Sequence, residues 1–329
     1  MATNVFISHP IPAEVRAYLD DHCRCSAWQG GLPVPRKAIL EGVSEAEGLL
    51  TVGGRIDDEL LDHAPNLRVV SNISVGYDNL DIEALRRRGV IATHTPGVLD
   101  ETVADLVMTL MLSTARRVPE LDALVKSGEW RKGDDRVLYG VDVHHTSLGI
   151  IGMGRIGETV ARRARMGFGM EVLYHNRRRR PDVEAELGVL YRGIDELLAS
   201  ADFVLLMLPL TPETAGFMGA ERFRRMKRSA IFINASRGGT VDEHALVRAL
   251  EDGEIRAAGL DVYAREPLPG DSPLTRLPQV VTLPHIGSAT ARTRHAMADL
   301  AARNLVAVLS GERPPSPVPE LATAEAGND

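Results

Sequence analysis

The chain has 329 residues, enough for one large or two ordinary domains. Hydrophobic residues make up 44% and charged residues 25%, ordinary for a globular protein, and the net charge of −7 argues against a general binder of nucleic acid or of an anionic membrane surface. Cys23 and Cys25 are the only cysteines and stand too close for a CxxC redox site or a common zinc pair, so two reduced thiols and no metal are expected.

The opening MATNVFISHP has no basic segment ahead of a long apolar stretch, and no apolar run approaches the roughly 20 residues of a membrane span. A cytoplasmic protein is therefore expected. Four short β-branched runs follow, at residues 4–9 (NVFISH), 48–52, 67–74 and 90–95, and read as buried strands. Amphipathic segments at 12–23, 57–64 and 81–88 lie between them. Strands alternating with helices imply a parallel α/β layer. Residues 101–126 then give one long helical pattern, a linker that packs on the next unit. A second βαβ series has six expected strands, at 148–151, 171–174, 203–208, 230–234, 257–262 and 280–283, which suffices for a doubly wound Rossmann-type sheet. The last helical pattern, 291–309, belongs back on the first unit. The expected organisation is thus a discontinuous flavodoxin-like domain, 1–100 with 289–329, carrying an inserted domain at 101–288. The Pro- and Ala-rich segment 314–329 reads as a flexible tail.

The strand LGII runs into Gly152, Met153, Gly154, Arg155, Ile156 and Gly157, and then into the helical ETVARRARM. A lone GxGxxG is weak evidence. Between a strand and a helix it is the dinucleotide-binding pattern. Gly152 permits the tight turn, Gly154 the approach of a pyrophosphate, and Gly157 close helix–strand packing. The amides of Arg155 and Ile156 then meet the phosphates at the helix N-terminus. The next strand ends in His175, Asn176, Arg177, Arg178, Arg179 and Arg180, without the carboxylate that would bind the ribose 2′-hydroxyl of NAD. Guanidiniums suit a phosphate dianion, so NADP is the expected cofactor over NAD, with Asn176, Arg177 and Arg178 around its 2′-phosphate.

Three chemically competent residues each follow an expected strand: Arg237 in NASRGGTVDE, Glu266 in DVYAREPL and His285 in LPHIGSAT. Ligands of open α/β sheets lie beyond the carboxyl ends of the strands, which places all three at one edge. Keto-acid reduction needs a proton donor, met by His285 with Glu266 as its partner. It also needs a cation for the substrate carboxylate and the polarised carbonyl, met by Arg237.

The motifs SVGYDN at 74–79, GMGRIG, NASRGGTVDE, GLDVYAREPL and LPHIGSAT together resemble the D-isomer-specific 2-hydroxyacid dehydrogenases over nearly the whole chain. Within that family the sequence is most similar to NADPH-linked glyoxylate/hydroxypyruvate and 2-ketogluconate reductases. The resemblance implies reduction of a small 2-keto acid to the D-2-hydroxy acid, with Arg237, Glu266 and His285 catalytic. It implies that the amides of Val75 and Gly76 hold the substrate carboxylate and that Ser288 lines the pocket. It places Thr102, Leu208, Pro209, Thr214, Ala235, His285 and Gly287 along the cofactor and Asp261 on its carboxamide. A homodimer is implied as well. The apolar helix 105–112 is its candidate contact, with domain core as the alternative role.

The sequence departs from the family at one place. Leu138 stands where related reductases often carry a tryptophan that narrows a neighbouring subunit's pocket, which changes the selection among keto acids. Trp130 lies earlier and reads as a helix-end packing element. Two other readings keep the same fold. One is oxidation of another D-2-hydroxy acid or of phosphite, whose enzymes tend to carry a lysine in the Ser74-Val75-Gly76 loop. The other is a catalytically silent dinucleotide-sensing regulator, which the intact triplet disfavours.

Overall fold

A computed structural model describes residues 3–133 and 135–322. Their contacts divide them into two units, one of residues up to Leu99 with those from Ala289 onward, the other Asp100–Ser288.

The first unit alternates strictly: β1 (Asn4–Ile7), α1 (Ala13–His22), β2 (Arg24–Ala27), α2 (Arg36–Val43), β3 (Gly48–Thr51), α3 (Asp58–His63), β4 (Val69–Asn72), α4 (Ile82–Arg88) and β5 (Ile91–Thr93). All pairings are parallel, in the order β2-β1-β3-β4-β5, which is the flavodoxin-like order. β3 and β4 are buried along their whole lengths, as strands covered on both faces must be. Asp57 and Asp81 cap α3 and α4 by accepting the amides of Leu60 and Ala84, which fixes where those helices begin.

The second unit begins with α5 (Asp100–Ala115) and α6 (Val118–Lys126). It continues through β6 (Ser147–Ile151), α7 (Arg155–Phe168), β7 (Glu171–His175), α8 (Pro181–Leu187), β8 (Leu190–Tyr191), α9 (Ile194–Ser200) and β9 (Phe203–Leu206). It ends with α10 (Ala220–Arg225), β10 (Ile231–Asn234), α11 (Glu243–Glu251), β11 (Ala257–Leu260) and β12 (Val280–Thr282). The seven parallel strands run β12-β11-β10-β9-β6-β7-β8, so the order reverses between β6 and β9. That is the Rossmann switch point, where a crevice opens beyond the carboxyl ends of the strands. The core on one face packs Leu206, Phe223, Phe232 and Leu246, with the two phenylalanine rings edge to face at 5.3 Å.

The chain then returns to the first unit as α12 (Ala291–Leu309), which packs on α1, β3 and β4. Met297, Ala301, Ala302 and Leu305 are buried there. The Ser71 hydroxyl, buried beneath this helix, donates to the carbonyl of Ala301 at 2.7 Å and meets the Thr93 hydroxyl at 2.8 Å.

Several expectations need correction. β2 is not among the expected strands: its RCSA sequence is an edge strand alternating exposed and half-buried, with too little apolar content to register as a strand. β8 is only two residues long. The single helix expected over 101–126 is two helices. Arg117 takes a left-handed φ of 56° as the cap of α6, and Pro119 stands in the first turn of that helix, so the chain turns at Arg117. Residues 314–322 are not a flexible tail. Val318 is fully buried, its amide donates to Ala92 at 2.8 Å, Pro317 bridges Thr93 antiparallel, and Asn304 accepts the Ser316 amide at 2.8 Å. β5 is a sheet edge with open backbone groups, and this segment covers them. The remainder of that tail, 323–329, lies outside the described residues.

Trp130 is not a packing element either, being 56% exposed. The apolar face of 105–112, in contrast, sits inside its own unit: Val107, Met108, Leu110 and Met111 are buried as α5 packs on α7, β10, β11 and β12. Both cysteines are free thiols, and burial pushes Cys25 up to about 12. No helix among the described residues is long and apolar enough to cross a membrane, and none of their side-chain groups is set to hold a metal.

Candidate active site

Gly152 follows β6 with φ 106°, a conformation L side chains rarely adopt, and a Cβ there would sit 2.6 Å from the carbonyl oxygen of Met207. Gly157 lies in the first turn of α7, where a Cβ would sit 2.6 Å from the Gly152 oxygen. Gly154 is different. It caps α7, and a Cβ added to it meets nothing within 4 Å. The first helical bond runs from Glu158 to Gly154, so the amides of Arg155 and Ile156 precede it and face outward. Two crowded glycines thus hold the turn, and open space remains before a helix N-terminus. These residues fit a pyrophosphate.

β7 ends beside this loop. Asn176 is committed to it: its Oδ1 accepts the Met153 amide at 2.6 Å and its Nδ2 donates to the Met153 carbonyl at 3.2 Å. Its carboxamide therefore braces the glycine loop, and one Nδ2 hydrogen is left over for a ligand oxygen. The arginine run divides. Arg179 grips Glu184 with two bonds of 2.7 and 2.6 Å, and Arg180 reaches Asp182 at 2.6 Å. Both carboxyls are held down at about 2, first by those arginine bonds. Arg177 and Arg178 are exposed and make no hydrogen bond or ion pair among the described residues. The charge of Arg177 reaches Glu213, whose carboxyl is lowered chiefly by the Thr211 hydroxyl. Thr214 closes the adjoining loop, its hydroxyl donating to the Pro209 carbonyl at 2.6 Å, next to half-buried Leu208. Arg155 pairs with Asp100 at 3.4 Å, and Thr102 stands half-buried in the first turn of α5.

At the end of β10, buried Asn234 organises the turn that bears Ala235 and Arg237. Its Oδ1 accepts the Ser236 amide at 3.1 Å and hydroxyl at 2.9 Å, and its Nδ2 donates to the Arg237 carbonyl at 3.1 Å. Arg237 Nη1 donates to the Ser236 carbonyl at 2.9 Å. Gly238 is required here, because a Cβ would lie 1.8 Å from the backbone carbon of Tyr263. That close approach brings the Arg237 turn against the loop carrying Glu266. Gly238→Ala is therefore expected to cost about 1–3 kcal/mol of stability, since backbone cannot yield as a side chain can. It should also lower turnover; melting and activity at wild-type values would show that the turns separate without consequence.

Glu266 Oε1 accepts the Tyr263 amide at 3.1 Å, and its Oε2 accepts His285 Nδ1 at 2.7 Å. Burial raises the Glu266 carboxyl, but His285, the Tyr263 amide and the Arg237 charge outweigh it and leave the group below its ordinary range. His285 has a left-handed φ of 54°. The residues after it are pinned by buried Asp261, which accepts the amides of Ile286 at 2.7 Å and Gly287 at 2.8 Å. Burial pushes the Asp261 carboxyl up, against those two amides. With Nδ1 on Glu266, the Nε2 of His285 has no partner among the described residues. Ser288 follows, half-buried. The arrangement is an imidazole oriented by a carboxylate, with a guanidinium whose charge reaches that carboxylate, at the strand ends next to a phosphate cradle. It can move a proton at a defined atom.

Val75 and Gly76 belong to the first unit, just past β4. Asn72 donates to the Gly76 carbonyl at 3.0 Å, and His94 Nδ1 meets the Val75 carbonyl at 3.0 Å. Their own amides donate to nothing among the described residues. Asn234, Gly238 and Tyr263 do not stand out in the sequence. The Gly-Gly pair after Arg237 is the one signal present.

The chain is similar to known proteins over nearly its whole length. Residues 108–287 match the D-isomer specific 2-hydroxyacid dehydrogenase, NAD binding domain. The glyoxylate/hydroxypyruvate reductase B of Yersinia pestis (strain Pestoides F) is 51% identical over 313 residues, 94% of this chain and 95% of that protein. The crystal structure of the TT0316 protein from Thermus thermophilus matches with a TM-score of 0.88 at 44% identity, over 96% of this chain and 100% of that one. That of an NADPH-dependent glyoxylate/hydroxypyruvate reductase from Sinorhizobium meliloti, in complex with NADP and malonate, matches with a TM-score of 0.86 at 32% identity, over 98% of each chain. On sequence and on fold alike, the chain belongs to the D-isomer specific 2-hydroxyacid dehydrogenases, a family of nicotinamide-dinucleotide oxidoreductases.

Proposed function

We propose that this enzyme reduces a small 2-keto acid of the glyoxylate, hydroxypyruvate or 2-ketogluconate class to the D-2-hydroxy acid, with NADPH preferred over NADH. The observation that carries the reading is the His285–Glu266 pair, 2.7 Å apart, with the charge of Arg237 acting on the same carboxylate. The bound reduced nicotinamide supplies the hydride. His285 Nε2 gives its proton to the keto oxygen as the carbonyl carbon is reduced. Glu266 keeps the ring oriented, with the Nδ1 proton on its carboxylate. Arg237 holds the substrate carboxylate and offsets charge developing on the oxygen. On the first unit the amides of Val75 and Gly76, which have no partner among the described residues, suit an anionic oxygen of a substrate, and Ser288 suits the pocket wall. Gly152, Gly154, Arg155, Ile156, Gly157 and Thr102 take the pyrophosphate side, and Leu208, Pro209, Thr214, Ala235, Asp261 and Gly287 the rest of the cofactor.

A cytoplasmic homodimer completes the reading. Its support is an apolar surface on the stretch from α6 to β6, where Val118, Val125, Trp130, Val137 and Tyr139 are all more than half exposed. The phosphite and regulator readings gain nothing from the relatives found. The test is oxidation of NADPH and NADH, side by side, with glyoxylate, hydroxypyruvate and 2-ketogluconate. Rapid NADPH-linked reduction of at least one acceptor is expected. Silence with all six pairs would remove the proposed substrate class.

A further inference from the structure

The loop after β4 bears the two amides that suit a substrate oxygen, and the direction of one of them is set from outside the loop. In a planar trans peptide the Val75 carbonyl and the Gly76 amide point opposite ways on one rigid unit. Whatever holds the carbonyl therefore aims the amide. The holder is His94, just past β5, whose Nδ1 lies 3.0 Å from the Val75 carbonyl oxygen. A carbonyl only accepts, so Nδ1 carries a proton and donates. The carbonyl of Gly76 accepts from the Asn72 carboxamide at 3.0 Å, which fixes the next peptide in the same way.

His94 is buried, and the segment after α12 holds it twice. Its backbone amide donates to the Ser316 carbonyl at 3.1 Å, while its carbonyl accepts from the Asn304 carboxamide at 3.2 Å. Its ring meets the half-buried Tyr77 ring edge-on, with centroids 5.3 Å apart. The Tyr77 hydroxyl donates to the Glu320 carboxylate, 3.1 Å from each oxygen. Burial and that carboxylate push the phenol up to about 12, so it remains a donor at neutral pH. Glu320 is anchored in turn, its backbone carbonyl accepting from Arg86 Nη2 at 2.9 Å. Covering the edge of β5 accounts for the backbone bonds at 316–318, but not for the reach of Glu320 to a side chain of the substrate loop. We propose that His94 is a positioning residue for the substrate: it aims the Gly76 amide at an anionic oxygen of the keto acid, and the segment 316–320 holds it there through Ser316 and Tyr77. The role rests on the proposed anchoring of the substrate by the Val75 and Gly76 amides. An amide turned away from the anion loses a charge-assisted bond, whereas proton delivery by His285 and cofactor binding at the glycine loop involve none of these residues. The effect of losing His94 thus falls on substrate affinity.

The test is steady-state kinetics of the full-length enzyme with NADPH and its best acceptor among glyoxylate, hydroxypyruvate and 2-ketogluconate, in wild type, His94→Leu and His94→Asn. Asparagine places a donor nitrogen where Nδ1 stands, and leucine keeps bulk without a donor. His94→Leu is expected to raise the KM for the acceptor at least about tenfold, with kcat and the KM for NADPH within about twofold of wild type. His94→Asn is expected to bring the acceptor KM back to within about twofold of wild type, since the donor is restored. If His94→Leu does not fold, Tyr77→Phe takes its place. It keeps the ring against His94 and loses only the bond to Glu320, and a rise in acceptor KM of at least about threefold is expected. An acceptor KM unchanged in the variant overturns the proposal and leaves the keto-acid reading standing. So does a loss in His94→Asn as large as in His94→Leu. So does a fall in kcat together with NADPH affinity, the mark of a residue that only supports the fold. A wild type that reduces none of the acceptors overturns the keto-acid reading and this role with it.

Discussion

His285→Ala lowers kcat for keto-acid reduction at least about 100-fold, the ordinary contribution of a positioned general acid. It leaves the KM for NADPH within about threefold, because the phosphate cradle lies on β6 and α7 and the histidine has no part in it. The size of the effect follows from how completely the ring is placed. Glu266 takes Nδ1, which leaves Nε2 as the nitrogen that exchanges a proton. Asp261 holds the two following amides, at 2.7 and 2.8 Å, and so keeps the left-handed backbone that presents the ring. Strain of this kind persists only where neighbours enforce it, and here they enforce the aim of one side chain.

The carboxylate also sets a pH limit. The Glu266 carboxyl is lowered in the folded protein, so the pair's stabilisation is fully present above the unfolded value of about 4.3 and lost as pH falls through the folded one. Acidification from neutrality to about pH 5 should therefore leave the Glu266 carboxylate ionised and its hydrogen bond to His285 intact. Near-normal turnover of His285→Ala would take the residue out of the mechanism and move attention to a different donor.

Much of this site was legible in the sequence because its determinants are local. A glycine triplet between a strand and a helix has one geometric use, and a polar residue just past a parallel strand must lie at the ligand edge. Strands with apolar runs, such as β6, β9 and β10, are recognisable for the same reason: burial on both faces leaves polar residues only at their ends. What the sequence concealed depends on partners distant along the chain. β2 is a strand only because β1 lies beside it. Val318 looks like part of a loose polar tail until the open edge of β5 is known. Asn176 reads from sequence as one of three ligands for a phosphate, and only its distance to Met153 shows that it braces the loop. Gly238 could not be distinguished from its neighbour Gly239 without Tyr263, far along the chain, within reach of its missing Cβ.

The arginine run poses the sharpest test of cofactor choice. In Arg177→Ser/Arg178→Ser, kcat/KM for NADPH should fall about 100-fold, since a charge-assisted hydrogen bond contributes roughly 1.5–3 kcal/mol and a 2′-phosphate would lose two such donors. The value for NADH should change less than about threefold, because a ribose hydroxyl offers those guanidiniums no anion to pair with. The choice of these two among four arginines is physical. Arg179 and Arg180 already hold Glu184 and Asp182, whose carboxyls sit at about 2 and stay ionised at any working pH. Removing either arginine would therefore loosen α8 rather than deprive a cofactor. Arg177 and Arg178 hold no such partner, and Arg177 stands near enough to Glu213 for its charge to act there, on the side of the Pro209–Thr214 loop. If the double variant loses NADPH and NADH activity equally, the pair supports the fold of the β7 turn instead. If it loses neither, the two arginines are a solvated surface turn, and NADPH preference must come from elsewhere in the crevice.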